Sequence, residues 1–399
     1  MKKATLKTLN KIITKLIPSL LLVVLLVSTI SDFSADMFVR GNGSAKRRTE
    51  TTQQEEPRQS VPNNEPRQIQ TSLGGGNAQT ASVSGPYMNP LTGLGSATDI
   101  TRNRPVAVSI SNQKGALPSN ATNGISQADI VYEFMVEGGI TRFVGVYQDI
   151  STVGTIGSIR SARHYMVQIA ESHDAFWVHA GGSPLGFEEI EKRSIDNFCS
   201  VQGIRNSVFT KNVNRVPGHT VGDYHGMTAN GASIAQRILT SDMRKTHNSN
   251  YIQPYFFTDS HPVKNGADAS KVSIKYSAAK DSIFTYDSSR NLYFMNQFGS
   301  QFTDANNNAP VAFTNLILID MPTYDLVGHG SGAGRQDMET VGSGNGYLVS
   351  GGKYEKIIWL RPDKESPFIF GYENGDLIEL SRGKTYIGLV PSITNVTVS

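Results

Sequence analysis

The chain has 399 residues, of which 38% are hydrophobic and 18% charged, so it has room for two folded domains. A formal net charge of +3 and the absence of a basic stripe interleaved with aromatic residues argue against a nucleic-acid partner. A single cysteine, Cys199, excludes an intramolecular disulfide, and we interpret it as a small buried hydrophobe rather than a catalytic thiol.

The first 35 residues have the layout of an export signal. Five lysines precede the apolar run Leu16–Ile30, and no acidic residue occurs before Asp32. We predict an uncleaved signal anchor over residues 1–35, a single membrane-spanning helix that leaves the rest of the chain outside the cell. The alternative is a cleaved signal peptide and a secreted protein. In both cases the folded part is extracytoplasmic, and in the first case the membrane is a partner.

Residues 36–85 are predicted to form a disordered linker. They are rich in Gln, Asn, Ser, Thr, Gly and Pro and contain few large apolar side chains. Such a composition cannot bury enough surface to offset the entropy lost on ordering. We interpret the basic cluster Lys46-Arg47-Arg48 within it as a solvated charge run.

The next region, residues 86–252, is predicted to be an α/β (or α+β) domain. Four runs rich in β-branched and aromatic residues predict strands: Val106–Ser111, Ile130–Val136, Thr141–Tyr147 and Ala175–Ala180. Alternation along Val131–Glu137 places Glu133 and Glu137 on one face. These carboxylates are therefore candidates to pair with arginines elsewhere in the domain.

Two predicted helix entrances lie close together in this domain. Ser161 is the predicted N-cap of one helix, with Arg160, Arg163 and His164 beside it, where the helix dipole is already positive. This placement indicates either a bound anion or a structural ion pair, and we leave both open. The second helix is predicted to begin at Ser183-Pro184, behind Gly181-Gly182 and a strand that ends near His179. The predicted ligand-binding residues are Arg160, Arg163, His164, His179, Gly181, Gly182 and Ser183.

The sequence offers fewer candidate catalytic residues than candidate ligand-binding residues. His219, in a glycine-bounded loop, is the histidine best suited to move a proton, with Glu133 or Glu137 as the acid or base. No histidine pair has the i, i+4 spacing of a helical zinc site and no cysteine pair joins them, so we predict neither a metal nor a cofactor.

The last region, residues 253–399, is predicted to be a mainly antiparallel β domain, because short β runs alternate with turn signals such as Asn374-Gly375. The predicted strands are Val272–Tyr276, Ile283–Tyr286, Leu292–Met295, Ala312–Met321, Lys356–Leu360, Phe368–Tyr372, Leu377–Leu380 and Thr385–Val390. A glycine-rich segment, residues 327–346, favours a mobile loop or a hairpin corner over a phosphate-binding loop. Its His329, Arg335 and Asp337 are placed to close over the first domain.

Five ordered motifs carry a resemblance to a known family: NPLTGL, ISQADIVYEFMVEGGITRFVGVYQD, IGSIRSARHYM, HAGGS and RVPGHTVGDY. From about Tyr87 to its end the chain resembles the YerB-like bacterial lipoproteins, a family of unknown function with distinct N- and C-terminal domains. The resemblance implies a membrane-attached, extracytoplasmic protein of two domains and supplies no reaction. Two departures stand out. No cysteine directly follows the apolar run. In addition, the sequence Pro217-Gly218-His219-Thr220 stands where the family pattern is expected to have a Pro-His-Asn-like motif.

The sequence thus favours a binding protein. No G-x-S-x-G, Ser-x-x-Lys, H-E-x-x-H or Walker motif is present, which removes the commonest hydrolase and kinase signatures. We predict a protein that binds or scaffolds an anionic cell-envelope component, such as a cell-wall polymer. The alternative is a hydrolase or transferase that acts on a phosphate- or carboxylate-bearing envelope glycan.

Overall fold

A mixed β-sheet runs through the fold and takes strands from both halves of the chain. The computed structural model describes residues 85–202, 208–216, 224–327 and 334–399, so the predicted anchor and nearly all of the linker lie outside the described residues. In order across the sheet, the strands are Ala267–Asp268, Lys353–Arg361, Gly342–Ser350, Asn315–Asp320, Thr385–Val390, Ile130–Met135, Thr141–Tyr147, Val106–Asn112, Phe176–His179 and Asn197–Cys199. Strand Ile369–Gly371 pairs alongside Lys353–Arg361.

The two halves meet in the middle of this central sheet. Strand Thr385–Val390, close to the C-terminus, lies parallel to Asn315–Asp320 on one side and to Ile130–Met135 on the other. Its residues are all buried, as expected for a strand covered on both faces. The two predicted regions therefore share one sheet.

A second, antiparallel sheet packs against one face of the central sheet. Its strands are Ser300–Gln301, Leu292–Gln297, Asp281–Asp287, Lys271–Lys275 and Val396–Val398, with Ala312–Phe313 beside the second of these. Phe284 and Tyr293 of this sheet join Val131 and Phe143 of the central sheet in one buried apolar cluster. Alternation along each strand supplies this inward-facing set of side chains.

Three α-helices occur among the described residues: α1 (His164–Ser172), α2 (Pro184–Lys192) and α3 (Gly231–Thr240). Helix α1 covers the other face of the central sheet, where Tyr165, Met166 and Ile169 pack with Tyr132 and Trp177. Strand Phe176–His179, helix α2 and the parallel strand Asn197–Cys199 form a β-α-β unit. None of the described helices combines the length and apolar character needed to cross a membrane.

Short strands complete the described fold. Phe209–Lys211, Met227–Asn230 and Thr155–Gly157 form a three-stranded sheet. Four isolated pairs remain: Tyr87–Met88 with Gly95–Ser96, Ala121–Thr122 with Thr303–Asp304, Phe257–Thr258 with Leu380–Ser381, and Thr323–Asp325 with Gln336–Met338. The described residues thus form mostly β-strands with few helices. The α/β (or α+β) class that the sequence predicts for the N-terminal domain is a more detailed assignment than this.

The predicted start of α1 at Ser161 is wrong. The N-cap position is taken by Arg163, whose side chain makes no capping hydrogen bond. Ala162 forms a parallel bridge with Gly182, and its N–H donates to the Gly181 carbonyl (2.8 Å). This tertiary pairing holds the chain extended up to Arg163, so the helix begins three residues after the best local cap.

Candidate functional site

The fold places the two helix entrances side by side. The bridge between Ala162 and Gly182 joins them, and the Ser183 N–H donates back to the Ala162 carbonyl (3.0 Å). Helix α2 begins as predicted: the Ser183 hydroxyl accepts a hydrogen bond from the Gly186 N–H (3.1 Å), with proline at the first helical position. Residues Gly181 to Ser183 lie just beyond the carboxyl end of strand Phe176–His179, where ligands bind in open α/β sheets.

Sequence reasoning missed Arg142, which lies behind the entrance of α1. Its Nη1 donates to the Ser161 carbonyl (2.6 Å), and the residue is only 5% exposed. Burial and the charges of Arg163 and Arg160 lower its pKa to about 9, while Glu137 acts in the opposite direction. The guanidinium is therefore protonated at neutral pH.

A signal for Arg142 is present in the sequence. It shares a face of strand Thr141–Tyr147 with Val144 and Val146, both of which are fully buried. A charged residue at an inward-facing position of an apolar strand indicates a buried partner or a functional site. We refer to Arg142, Arg160 and Arg163, together with Glu137, as the cationic cluster.

Within the cationic cluster, Arg163 has a carboxylate partner. Its Nε and Nη2 donate to the two oxygens of Glu137 at 2.6 and 2.9 Å, a two-pronged, half-buried pair. Burial opposes ionisation of Glu137, but the hydrogen bonds from Arg163 and the charges of Arg163 and Arg142 outweigh it and lower its pKa. Arg160 is half-buried, and its backbone N–H donates to the Ser109 carbonyl (2.9 Å).

His164 also meets a carboxylate. Its Nε2 lies 2.6 Å from Oδ1 of Asp337, which belongs to strand Gln336–Met338 in the glycine-rich segment. This contact brings part of that segment to the entrance of α1. His329, from the same segment, lies outside the described residues.

His179 is a buried residue with a contact at each ring nitrogen. Nδ1 lies 2.7 Å from the Gly181 carbonyl oxygen and Nε2 lies 3.3 Å from Oδ1 of Asn197. The ring stacks on Trp177, with centroids 6.0 Å apart. Its register partner on the edge strand is Cys199. Burial raises the pKa of the Cys199 thiol, but the hydrogen bond with His179 and nearby backbone N–H groups outweigh it and lower the pKa to about 7.

Of the two predicted catalytic residues, Glu133 lies among the described residues. His219 lies outside the described residues. Glu133 is fully buried, and both of its carboxylate oxygens are engaged. Its partners are Asn112 (2.9 Å), Thr141 (2.5 Å), Lys280 (3.0 Å), Ser282 (2.9 Å) and Tyr386 (2.6 Å). The geometry of Glu133 is that of a saturated internal ion pair.

The described residues form no metal-ligand cluster. Within residues 85–202, 208–216, 224–327 and 334–399, no three His, Cys, Asp or Glu side chains converge closely enough to hold a metal ion. Besides the carboxylates of Glu137 and Asp337, the charged groups at the helix entrances include the guanidinium groups of Arg142, Arg160 and Arg163. Their chemistry suits an anion rather than a cation.

Comparisons with known proteins agree with the resemblance seen in the motifs. Residues 91–243 match the N-terminal domain, and residues 272–387 the C-terminal domain, of the family described as "Protein of unknown function (DUF3048)". A protein of Bacillus subtilis (strain 168) named "Putative lipoprotein YerB" is 28% identical over 320 residues, which cover 78% of this chain and 88% of that protein. The crystal structure of YerB from Bacillus subtilis is similar with a TM-score of 0.66 and 25% identity, over 78% of this chain and 99% of that one.

Proposed function

Because this chain belongs to the DUF3048 family of proteins of unknown function, we propose its function from its own geometry: it binds an anionic component of the cell envelope through the cationic cluster. The observation that carries the proposal is Arg142, a buried guanidinium held close enough to Arg160 and Arg163 for their charges to lower its pKa. Like charges brought together in a partly buried site cost free energy, and an anion offsets that cost.

The surroundings of the cluster support the same proposal. Glu137 is committed to Arg163 by two hydrogen bonds, and both residues border the buried Arg142. Two helix N-termini lie beside the cationic cluster, and the positive ends of their helix dipoles favour negative charge. The planar fork of arginine matches phosphate and carboxylate oxygens. We therefore propose a phosphate- or carboxylate-bearing envelope polymer as the ligand.

We further propose that the protein is extracytoplasmic and attached to the membrane. The name of the Bacillus subtilis relative, a lipoprotein, supports attachment in general terms. The means of attachment proposed for this chain, an uncleaved helix over Leu16–Ile30, lies outside the described residues. The division into domains at residues 86–252 and 253–399 is likewise a proposal.

A retention assay tests the binding proposal. Full-length protein in detergent micelles is passed over immobilised polyphosphate and polygalacturonate at about 0.1 M salt, where surface charges still act over ~10 Å. We expect Arg160→Gln to lower affinity by about tenfold, the scale of one charged hydrogen bond. Arg290→Gln is the matched control, because that residue lies in the turn between strands Asp281–Asp287 and Leu292–Gln297, with its side chain 50% exposed. Equal retention of the two variants, or no retention of the wild type, contradicts the proposal.

The same assay separates binding from the enzymatic alternative. A binder releases no polymer fragments, whatever the incubation time. If fragments appear and His219→Ala stops their release without loss of retention, the protein is a hydrolase or transferase instead. Glu133 offers no exposed oxygen among the described residues, so the enzymatic alternative stays a prediction without structural support.

A further inference from the structure

One long strand of the central sheet has an incompletely paired edge. Strand Lys353–Arg361 pairs along its whole length with Gly342–Ser350 on one side. On its other side it pairs only near its ends, with Ala267–Asp268 at residues 353–354 and with Ile369–Gly371 at residues 358–360. Residues 355–357 therefore have no strand partner on that side in the described structure.

A groove of about 880 Å³ lies over this gap. We call it the edge groove. One wall is the segment from Pro262 to Ala267 and the other is the turn from Tyr372 to Glu379, with Tyr354, Glu355 and Lys356 between them. It shares no lining residue with the cationic cluster.

The edge groove has the opposite charge to the cationic cluster. Its lining carries four carboxylates, Glu355, Glu373, Asp376 and Glu379, against two lysines, Lys264 and Lys356. Neither Glu355 nor Glu379 forms an ion pair with another described residue. Glu355 and Glu379 are the acidic side chains of the groove that can meet cationic side chains.

Tyr372 joins the two walls of the groove, and the acidic residues of the groove affect the pKa of its hydroxyl. Its hydroxyl donates to the Pro262 carbonyl (3.2 Å), which ties the turn to the opposite wall. Burial and the charges of Glu355 and Glu379 raise its pKa to about 12. Tyr372 and both carboxylates line the same groove.

We propose that the edge groove binds a short extended segment of a partner protein that carries Lys or Arg side chains. The segment adds as a strand to the open edge at residues 355–357, so that main-chain hydrogen bonds supply affinity. The gap spans about 10 Å at ~3.3 Å per residue, enough for three or four residues of peptide. Alternate side chains of the peptide point into the groove, where cations meet Glu355 and Glu379.

The two terms of this proposal, charge and strand pairing, are tested separately. Full-length protein is titrated into a fluorescent peptide of sequence Lys-Val-Lys, blocked at both ends, which matches the three unpaired residues of the gap. The double variant Glu355→Gln/Glu379→Gln is expected to lower affinity about fivefold to tenfold, since exposed ion pairs are individually weak. Glu188→Gln/Glu191→Gln on α2 removes the same charge from two exposed positions and is expected to leave affinity unchanged.

A peptide methylated at its central backbone nitrogen tests strand pairing without altering the protein. It keeps its charge but loses one main-chain donor, and we expect about a fivefold loss of affinity. Equal binding of the methylated peptide, equal effects of the two double variants, or no peptide binding overturns the proposal. Displacement of the peptide by a neutral oligosaccharide such as cellohexaose also overturns it. Retention of Glu355→Gln/Glu379→Gln on polyphosphate should not change, which keeps this test independent of the cationic cluster.

Discussion

His173 gives the fold a defined sensitivity to acid. It is fully buried, its Nε2 lies 2.7 Å from the hydroxyl of Tyr132, and its ring stacks on Tyr255. Its Nδ1 has no hydrogen-bond partner among the described residues. Burial and the charges of His247 and Arg361 lower its pKa from 6.5 to about 3. The folded protein therefore keeps His173 neutral at a pH where the unfolded chain binds a proton.

The sign and size of the effect follow from proton linkage. Because the folded pKa is depressed, the contribution of His173 is complete above pH 6.5 and is lost as the pH falls towards 3. Each unit of pH within this window costs up to about 1.4 kcal/mol. Between pH 7 and pH 4.5 the free energy of unfolding should fall by about 2.5 kcal/mol through this one group.

The variant His173→Gln removes the titration while keeping an acceptor for the Tyr132 hydroxyl. We expect it to be less stable than the wild type at pH 7, because a packed ring is lost, but to lose about 2.5 kcal/mol less on going to pH 4.5. Asp129, whose pKa burial raises to about 6, titrates in the same range, but it is common to both proteins and cancels.

Urea unfolding followed by tryptophan fluorescence at pH 7, 6, 5 and 4.5 measures the difference. The control is the same substitution at an exposed histidine, His261→Gln. If His173→Gln and the wild type lose the same stability between pH 7 and 4.5, His173 is not held neutral and the reasoning is refuted.

Two further predictions concern the helix entrances. Ser183→Ala should lower the free energy of unfolding by about 1 kcal/mol through loss of the α2 cap, and Ser183→Thr, which keeps a hydroxyl acceptor, should retain most of it in thermal denaturation. In a double-mutant cycle, Arg163→Gln and Glu137→Gln should show a coupling of about 1 kcal/mol at pH 7. The coupling should weaken as the pH falls through the lowered pKa of Glu137, and a coupling that does not weaken on acidification would contradict the ion pair.

Local features were readable from the sequence because they depend on neighbours along the chain. Strands Thr141–Tyr147 and Thr385–Val390 have the bounds that their composition predicts. The Ser183-Pro184 start of α2 is also as predicted, since a cap and its first turn lie within four residues. The alternation that separates Glu133 from Tyr132 and Phe134 is likewise a property of one strand.

The sequence by itself therefore determined the strand periodicities, the cap of α2 and the family. The first two depend only on residues within one segment, and the family depends only on an ordered set of motifs. Only the tertiary structure decided that Thr385–Val390 inserts beside Ile130–Met135, and that Asp337 reaches His164 across 173 positions. It also moved the start of α1 away from Ser161 by pairing Ala162 with Gly182. The physical reason is that strand neighbours and ion-pair partners are chosen by packing between distant segments, for which no local pattern exists.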